Sequence, residues 1–203
     1  MQLIPTQQEV IDLLRKTTAL RRGHFRYPNG LHTGEYLQVA LAMRYYQHAK
    51  VLSVGLSRLL RANPEIRAII DEASIVAPAT GGLPVAYGVC EALRANQVYW
   101  AEESPDYPLR FRQYLTQEQG EKVILVDDIL RTGRKLTQMR ALVEAAGAEV
   151  VAIAVIVYEP NPHTVDFGPL PFYYLAKLDT TFYHGPETCE LCKAVVPLET
   201  VWV

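Results

Sequence analysis

The 203-residue sequence predicts an α/β domain built on a parallel sheet with helices on both faces, and three observations carry that reading. Val123-Ile-Leu-Val126 and Val150–Val157 are continuous apolar runs rich in β-branched residues, as expected of strands with no wet face. Between them, Leu136, Met139, Leu142 and Val143 recur at helical spacing and stop before Gly147, a natural helix C-cap. Strand-like and helix-like stretches then alternate along the chain, the order that produces strand–helix–strand units with a parallel sheet.

The elements follow in order. Thr6, with Glu9 three residues on, predicts a capping box that opens a helix striped by Val10, Leu13, Leu14 and Leu20. From Gly23 to Gln38, two glycine-bearing turns bracket alternating aromatic and polar residues, which predicts a short hairpin outside the core. Tyr36–His48 and Val51–Leu60 read as helices, and Pro64 interrupts the pattern before a short segment ending at Asp71-Glu72. Ala73–Pro78 reads as a strand that gives way to Ala79-Thr80-Gly81-Gly82. Pro84 then fits the first turn of a helix running to about Ala95, where its missing N–H costs little. Gln97–Ala101 is another strand, and the polar insertion Glu102–Gly120, with Pro105 and Pro108, has the length of a functional lid. Glu149–Tyr158 returns as a central strand and Phe172–Lys177 as an edge strand.

Composition bounds the function. With 49% hydrophobic and 21% charged residues, the chain supports one sizeable core and is expected to be a single domain, 1–203. A net charge of −2 argues against general nucleic-acid or membrane-surface binding. No run reaches the length of a membrane span, and Met1-Gln-Leu-Ile-Pro-Thr6 lacks the pattern of a signal peptide, so a cytoplasmic location is expected. Three cysteines are too few for a disulfide scaffold. The Cys189-x-x-Cys192 pair could ligate a metal with His184, but a fourth ligand is missing unless Cys90 or a second chain provides one. A packed tail with reduced thiols is the simpler expectation.

Chemistry concentrates after Val126. The apolar strand ends in Asp127-Asp128, a polar turn with Gly133 follows, and the next helix begins. Such a turn aims unpaired backbone N–H groups and the positive end of a helix at one point, which suits a phosphate. Adjacent carboxylates can accept hydrogen bonds from vicinal sugar hydroxyls or reach a metal through water. Arg131, Arg134 and Lys135 add positive charge; their length either strengthens the phosphate site or fills it. The Gly-Gly turn at Ala79–Gly82, at the head of its own helix, makes a second anion site.

The stretch from Val123 through Thr132-Gly133 resembles the phosphoribosyl pyrophosphate (PRPP) motif of the type I phosphoribosyltransferase family. The likeness narrows to the bacterial orotate phosphoribosyltransferases. Gly23, Phe25, Asn29-Gly30, His32-Thr33 and Tyr36-Leu37-Gln38 follow that branch's hood pattern. Ala77–Gly82 follows its pyrophosphate loop, and the Cys189/Cys192 tail with Pro197-Leu198 its C-terminus.

The resemblance implies a parallel sheet with a small hood formed by about residues 20–40 and the C-terminal tail, and a mobile lid at about 102–120. It implies transfer of ribose 5-phosphate from PRPP to a small base, most closely orotate, with Mg2+ as cofactor and a homodimer as the assembly. By the same resemblance, Asp127 and Asp128 hold the ribose hydroxyls and, indirectly, the metal. Ile129, Leu130, Arg131, Thr132, Gly133, Arg134 and Lys135 surround the 5′-phosphate, and Ala79, Thr80, Gly81 and Gly82 hold pyrophosphate. Phe25, Tyr36 and Leu37 face the base, although packing within the hood would explain the two aromatics equally. Arg110 is the expected catalytic cation of the lid, with Arg112 beside it.

Two departures keep a second function open. Glu102-Glu103 stands where the family often has an arginine, and the phosphate loop is crowded with long side chains. A PRPP- or nucleotide-binding regulator without turnover would share these features. A phosphohydrolase using the aspartate pair is more remote, because the Asp-x-Asp spacing is absent.

Overall fold

The computed structural model describes residues 4–112, 115 and 118–201. In chain order it contains α1 (Gln7–Lys16), β1 (Leu20–Arg26), β2 (His32–Leu37), α2 (Ala40–Met43), α3 (Tyr46–Ala62), α4 (Pro64–Ile69), β3 (Ser74–Pro78), α5 (Gly82–Leu93), β4 (Gln97–Ser104), β5 (Tyr107–Arg110), β6 (Lys122–Leu130), α6 (Arg134–Ala145), β7 (Glu149–Tyr158), β8 (Phe172–Lys177), β9 (Phe182–Tyr183), α7 (Glu190–Lys193) and β10 (Glu199–Thr200). None of the described helices is long and apolar enough to cross a membrane.

Six strands form the main sheet in the order β5-β4-β3-β6-β7-β8, all parallel except β5, which folds back on β4. Both faces are covered, as the apolar runs predict. Along β6, Ile124 and Val126 belong to the cluster that includes Leu52, Leu56 and Leu60 of α3 and Val85 and Val89 of α5. The alternate residues Val123 and Leu125 pack with Leu136, Met139 and Val143 of α6. Fully burying one such side chain is worth roughly 1.5–3 kcal/mol, so the period-two alternation fixes which way β6 faces.

Local signals set the helix starts. Thr6 and Glu9 form the expected capping box: Glu9 N–H donates to Thr6 Oγ1 at 3.2 Å, and Thr6 N–H donates to Glu9 Oε2 at 2.7 Å. Asn63 caps α4, accepting from the Glu65 N–H at 2.8 Å, with Pro64 in the first turn.

Three expectations need correction. The aspartates do not close β6: β7 is ten residues long and pairs onward with Asp127, Ile129 and Leu130, so the strand continues past them. No helix spans Tyr36–His48. Tyr36 and Leu37 pair with Arg21 and Leu20 in the hairpin, and the extended backbone of Tyr45 separates α2 from α3. Glu102–Arg110 is a hairpin at the sheet edge rather than a loop; the rest of the insertion includes 113, 114, 116 and 117, which lie outside the described residues.

The hood hairpin, in turn, has a core of its own. Beta-1 and β2 join β9 and β10 from the tail in a second sheet, β10-β1-β2-β9, over Phe25, Tyr27, Leu31, Tyr36 and Val201. The hood therefore joins the N-terminal hairpin to the C-terminal tail, with β10 running parallel to β1 through Phe25 opposite Glu199.

Candidate active site

In an open parallel sheet, ligands bind where two neighbouring strands send their connections to opposite sides. Here that point lies between β3 and β6. Beta-3 leads through α5 to β4 on one side, and β6 leads through α6 to β7 on the other. The two glycine-bearing turns picked out in the sequence lie at these strand ends, one after each.

The turns approach closely. A methyl group added at Gly81 would meet Asp128 Oδ1 at 2.9 Å, and one at Gly82 would meet Ala77 Cβ at 2.9 Å and Asp127 Oδ1 at 3.2 Å. Glycine is required here for proximity to the carboxylates, since Gly81 has ordinary helical dihedrals. Gly133 is needed for conformation, with φ 78° at the head of α6. Neither N-cap residue, Gly81 of α5 or Gly133 of α6, supplies a capping side chain, and at the head of α6 the Arg134 N–H is taken by the Thr132 hydroxyl. The paired aspartates lie between two anion-seeking helix ends.

The carboxylates are themselves stressed. Burial pushes both above the usual carboxylate range. For Asp127, 8% exposed, the charge of Asp128 adds to the effect, while the Asp128 N–H, donating to Asp127 Oδ1 at 2.8 Å, opposes it. Among the described residues neither makes an ion pair, although Lys135 is close enough to favour the ionised form of Asp127. A site that holds two carboxylates without a direct cationic partner is suited to hydroxyl donors and a metal.

The long cations of the β6 turn do not fill this space. Arg134 and Lys135 turn to Glu103 on β4, at 3.6 and 3.0 Å, and the Arg134 side chain is 63% exposed. Lys135 beside Glu103 holds that carboxyl below its usual range. Thr132 Oγ1 accepts from the Arg134 N–H at 3.3 Å, shaping the turn. Arg131 is placed quite differently: its guanidinium leaves the turn and bonds Glu159 Oε2 at 2.5 Å and the Leu37 carbonyl at 2.6 Å, over the Tyr27 ring. Ile129 packs against the core and Leu130 is buried in it, so from these two only backbone can line the turn.

Other predicted site residues are not gathered here. Phe25 and Tyr36 stack on each other at 5.6 Å inside the hood core, and Leu37 is buried in the main core, so packing is the role in which the structure places all three. Arg110 stacks on Tyr107 within its own hairpin, 3.8 Å from the ring centroid. Arg112 Nε donates to Glu102 at 2.9 Å. Sequence reasoning missed Glu159, a fully buried acid that also accepts from Thr180 Oγ1 at 2.8 Å. Its signal was available: a lone acid two residues beyond the apolar run Val150–Val157, at the end of a buried strand, needs a partner.

Comparison with known proteins bears on this geometry. The sequence profile of the phosphoribosyl transferase domain matches residues 63–166, half of the chain. The sequence is 35% identical over 190 residues to the orotate phosphoribosyltransferase of Carboxydothermus hydrogenoformans, covering 94% of each chain. It is 33% identical to that of Thermotoga maritima, covering 93% of this chain and 94% of the relative. The fold superposes on the orotate phosphoribosyltransferase of Aeropyrum pernix with a TM-score of 0.67 at 18% identity, covering 83% of this chain and 93% of that one. The Mycobacterium tuberculosis enzyme in complex with inorganic phosphate gives 0.62 at 19% identity, with 85% and 95% covered.

Proposed function

Since the chain belongs to the type I phosphoribosyltransferase family, on its orotate branch, we propose that it transfers ribose 5-phosphate from PRPP to orotate, releasing pyrophosphate. The observation that carries this reading is the juxtaposition of Gly81-Gly82 with Asp127-Asp128 at the switch point, between two helix heads with glycine at the N-cap. Amides of Arg131–Arg134 take the 5′-phosphate, and those of Thr80–Gly82 take the pyrophosphate. The carboxylates accept from the two ribose hydroxyls between them.

Displacement at C1 of the ribose develops positive charge on the ring and negative charge on the leaving group. Asp127 and Asp128 stabilise the former from a buried position where their field is little screened. The helix heads stabilise the latter. Fixed placement of both ends does the remainder, so no protein nucleophile is needed. Asp127 and Asp128 are hard oxygen donors that would fit Mg2+, which would neutralise charge on the departing pyrophosphate.

Mixing the protein with PRPP, Mg2+ and each of several bases tests the reading. Orotate-dependent pyrophosphate release supports it, whereas PRPP binding with no release for any base leaves the regulator that lacks turnover.

Glu103 sets the ease of loading. With no substrate, it pairs with both cations at the head of α6 and offsets one of their two charges, and incoming phosphate must compete with it. Exposed pairs of this kind are worth about 0–1 kcal/mol, so Glu103→Gln is expected to lower KM for PRPP roughly two- to five-fold with kcat little changed. Steady-state kinetics decide it, and an unchanged or higher KM contradicts the competition.

The homodimer is proposed on α3 and α5, which leave Tyr46 (70% exposed), Val51 and Tyr87 facing solvent. Sedimentation at micromolar concentration is expected to show a dimer; a monomer there contradicts it.

A further inference from the structure

Away from the cleft, the two tail cysteines meet two histidines of the hood. Cys189 sits at the head of α7 and Cys192 within it, while His24 lies on β1 and His32 opens β2. His24 Nε2 is 3.0 Å from His32 Nδ1 and 3.5 Å from each sulfur, and His32 Nδ1 is 3.4 Å from the Cys192 Sγ. The four donor atoms all lie within 4.8 Å of one another.

We propose that His24, His32, Cys189 and Cys192 form a structural zinc site that fastens the C-terminal tail to the hood. The sequence alone offers only the cysteine pair, because His24 lies 165 residues before Cys189 and His32 lies 160 before Cys192. His184 is exposed and outside the group, and the Cys90 thiol instead faces the Ala95 carbonyl.

The distances have the right scale for a tetrahedron. With Zn–N at about 2.0–2.1 Å and Zn–S at about 2.3 Å, the nitrogen–sulfur edges come to about 3.5 Å and the nitrogen–nitrogen edge to about 3.3 Å. Three of the four nitrogen–sulfur edges, at 3.5, 3.5 and 3.4 Å, are close to this value; the fourth and the sulfur–sulfur edge lie within 4.8 Å, and the nitrogen pair needs a small opening.

Orientation agrees as well. His24 Nδ1 is 2.9 Å from the Val196 carbonyl, which can only accept, so this nitrogen carries the proton and the Nε2 lone pair points into the group. His24, His32 and Cys189 are at most 3% exposed and Cys192 is half-buried, so three of the four ligands are shielded from water.

The donor set selects the metal. Two thiolates and two imidazoles suit Zn2+ and disfavour Mg2+ or Ca2+, which take oxygen ligands. Four protein ligands leave no open position for substrate, so the site is structural. It would reinforce the parallel pairing of β1 with β10, only a two-residue strand, and hold Phe182 and Val201 in the hood core. The inference does not depend on the transferase reading.

The full-length protein, purified with a reductant and without chelator, tests it by elemental analysis and cobalt substitution. About one zinc per chain is expected, together with thiolate-to-cobalt absorption when Co2+ replaces it. Cys192→Ser and His32→Ala should each lower retained zinc at least ten-fold. Should either variant fail to fold, Co2+ titration of the wild-type chain still decides: less than about a tenth of an equivalent bound, with no thiolate band, overturns the proposal. Stoichiometric metal that both folded variants keep also overturns it.

Discussion

Replacing Arg131 with alanine is expected to cost roughly 3–5 kcal/mol of stability, the largest effect of any single change near the cleft. Glu159 is fully buried, and Arg131 is its ion-pair partner at 2.5 Å, with a side chain only 15% exposed. Removing the arginine leaves that carboxylate charged in a dry site with only the Thr180 hydroxyl, and leaves the Leu37 carbonyl without its donor. The loss is far larger than for Arg22 with Glu35, a pair at 3.4 Å whose arginine is 76% exposed and which is worth at most about 1 kcal/mol. Urea unfolding of both variants measures the contrast. A double change, Arg131→Met with Glu159→Leu, is expected to recover most of the stability, because it removes both charges together. A loss below about 1 kcal/mol for Arg131→Ala would mean that Glu159 does not depend on it.

Arg131 also ties the hood to the sheet. Its other bond is to the last residue of β2, and Tyr27 of the hood lies beneath its guanidinium. Burial pushes the Tyr27 hydroxyl up to about 12, so this ring stays neutral under the cation. A residue in the middle of the phosphate turn thus carries hood docking through its side chain and can serve phosphate only through its backbone.

The second large effect is Asp128→Asn, which is expected to lower kcat by roughly 10²–10³-fold and to weaken PRPP binding, because an amide stabilises neither the ring charge nor both hydroxyl donors. The same change is expected to stabilise the ligand-free protein at neutral pH. Both aspartates have folded pKa values above the unfolded value of about 3.9. The fold therefore favours the protonated carboxyl; that contribution is complete below about pH 4 and is lost as pH rises through the raised folded values. Asparagine does not ionise, so its advantage should grow from about pH 4 upward and appear as a Tm difference that widens with pH. Melting curves across that range, paired with turnover, check both halves. A variant that keeps wild-type turnover would remove Asp128 from the chemistry.

Much of this arrangement is legible in the sequence, for definite physical reasons. Val150–Val157 has to be a doubly covered strand because no polar residue interrupts it, and the Thr6–Glu9 spacing has to cap a helix because two orphan N–H groups need those acceptors. The Gly-Gly turn and the acidic pair announce a site because such residues are poor choices for packing alone. What local pattern cannot show is contact across the chain. The union of β1 with β10, the meeting of His24 and His32 with Cys189 and Cys192, and the departure of Arg131 toward Glu159 all depend on the tertiary path. Tyr36 and Leu37 mislead because their apolar spacing suits either a strand end or a helix start, and pairing with Arg21 and Leu20 decides it.

The central claim is that the turn after β3 and the turn after β6 grip opposite ends of one PRPP molecule. A crystal structure with PRPP and Mg2+ tests it most directly. The 5′-phosphate is predicted on the amides of Arg131–Arg134, the pyrophosphate on those of Thr80–Gly82, and the ribose hydroxyls within hydrogen-bond reach of Asp127 and Asp128. A ribose bound away from both carboxylates, or both phosphate groups on the same turn, would contradict it.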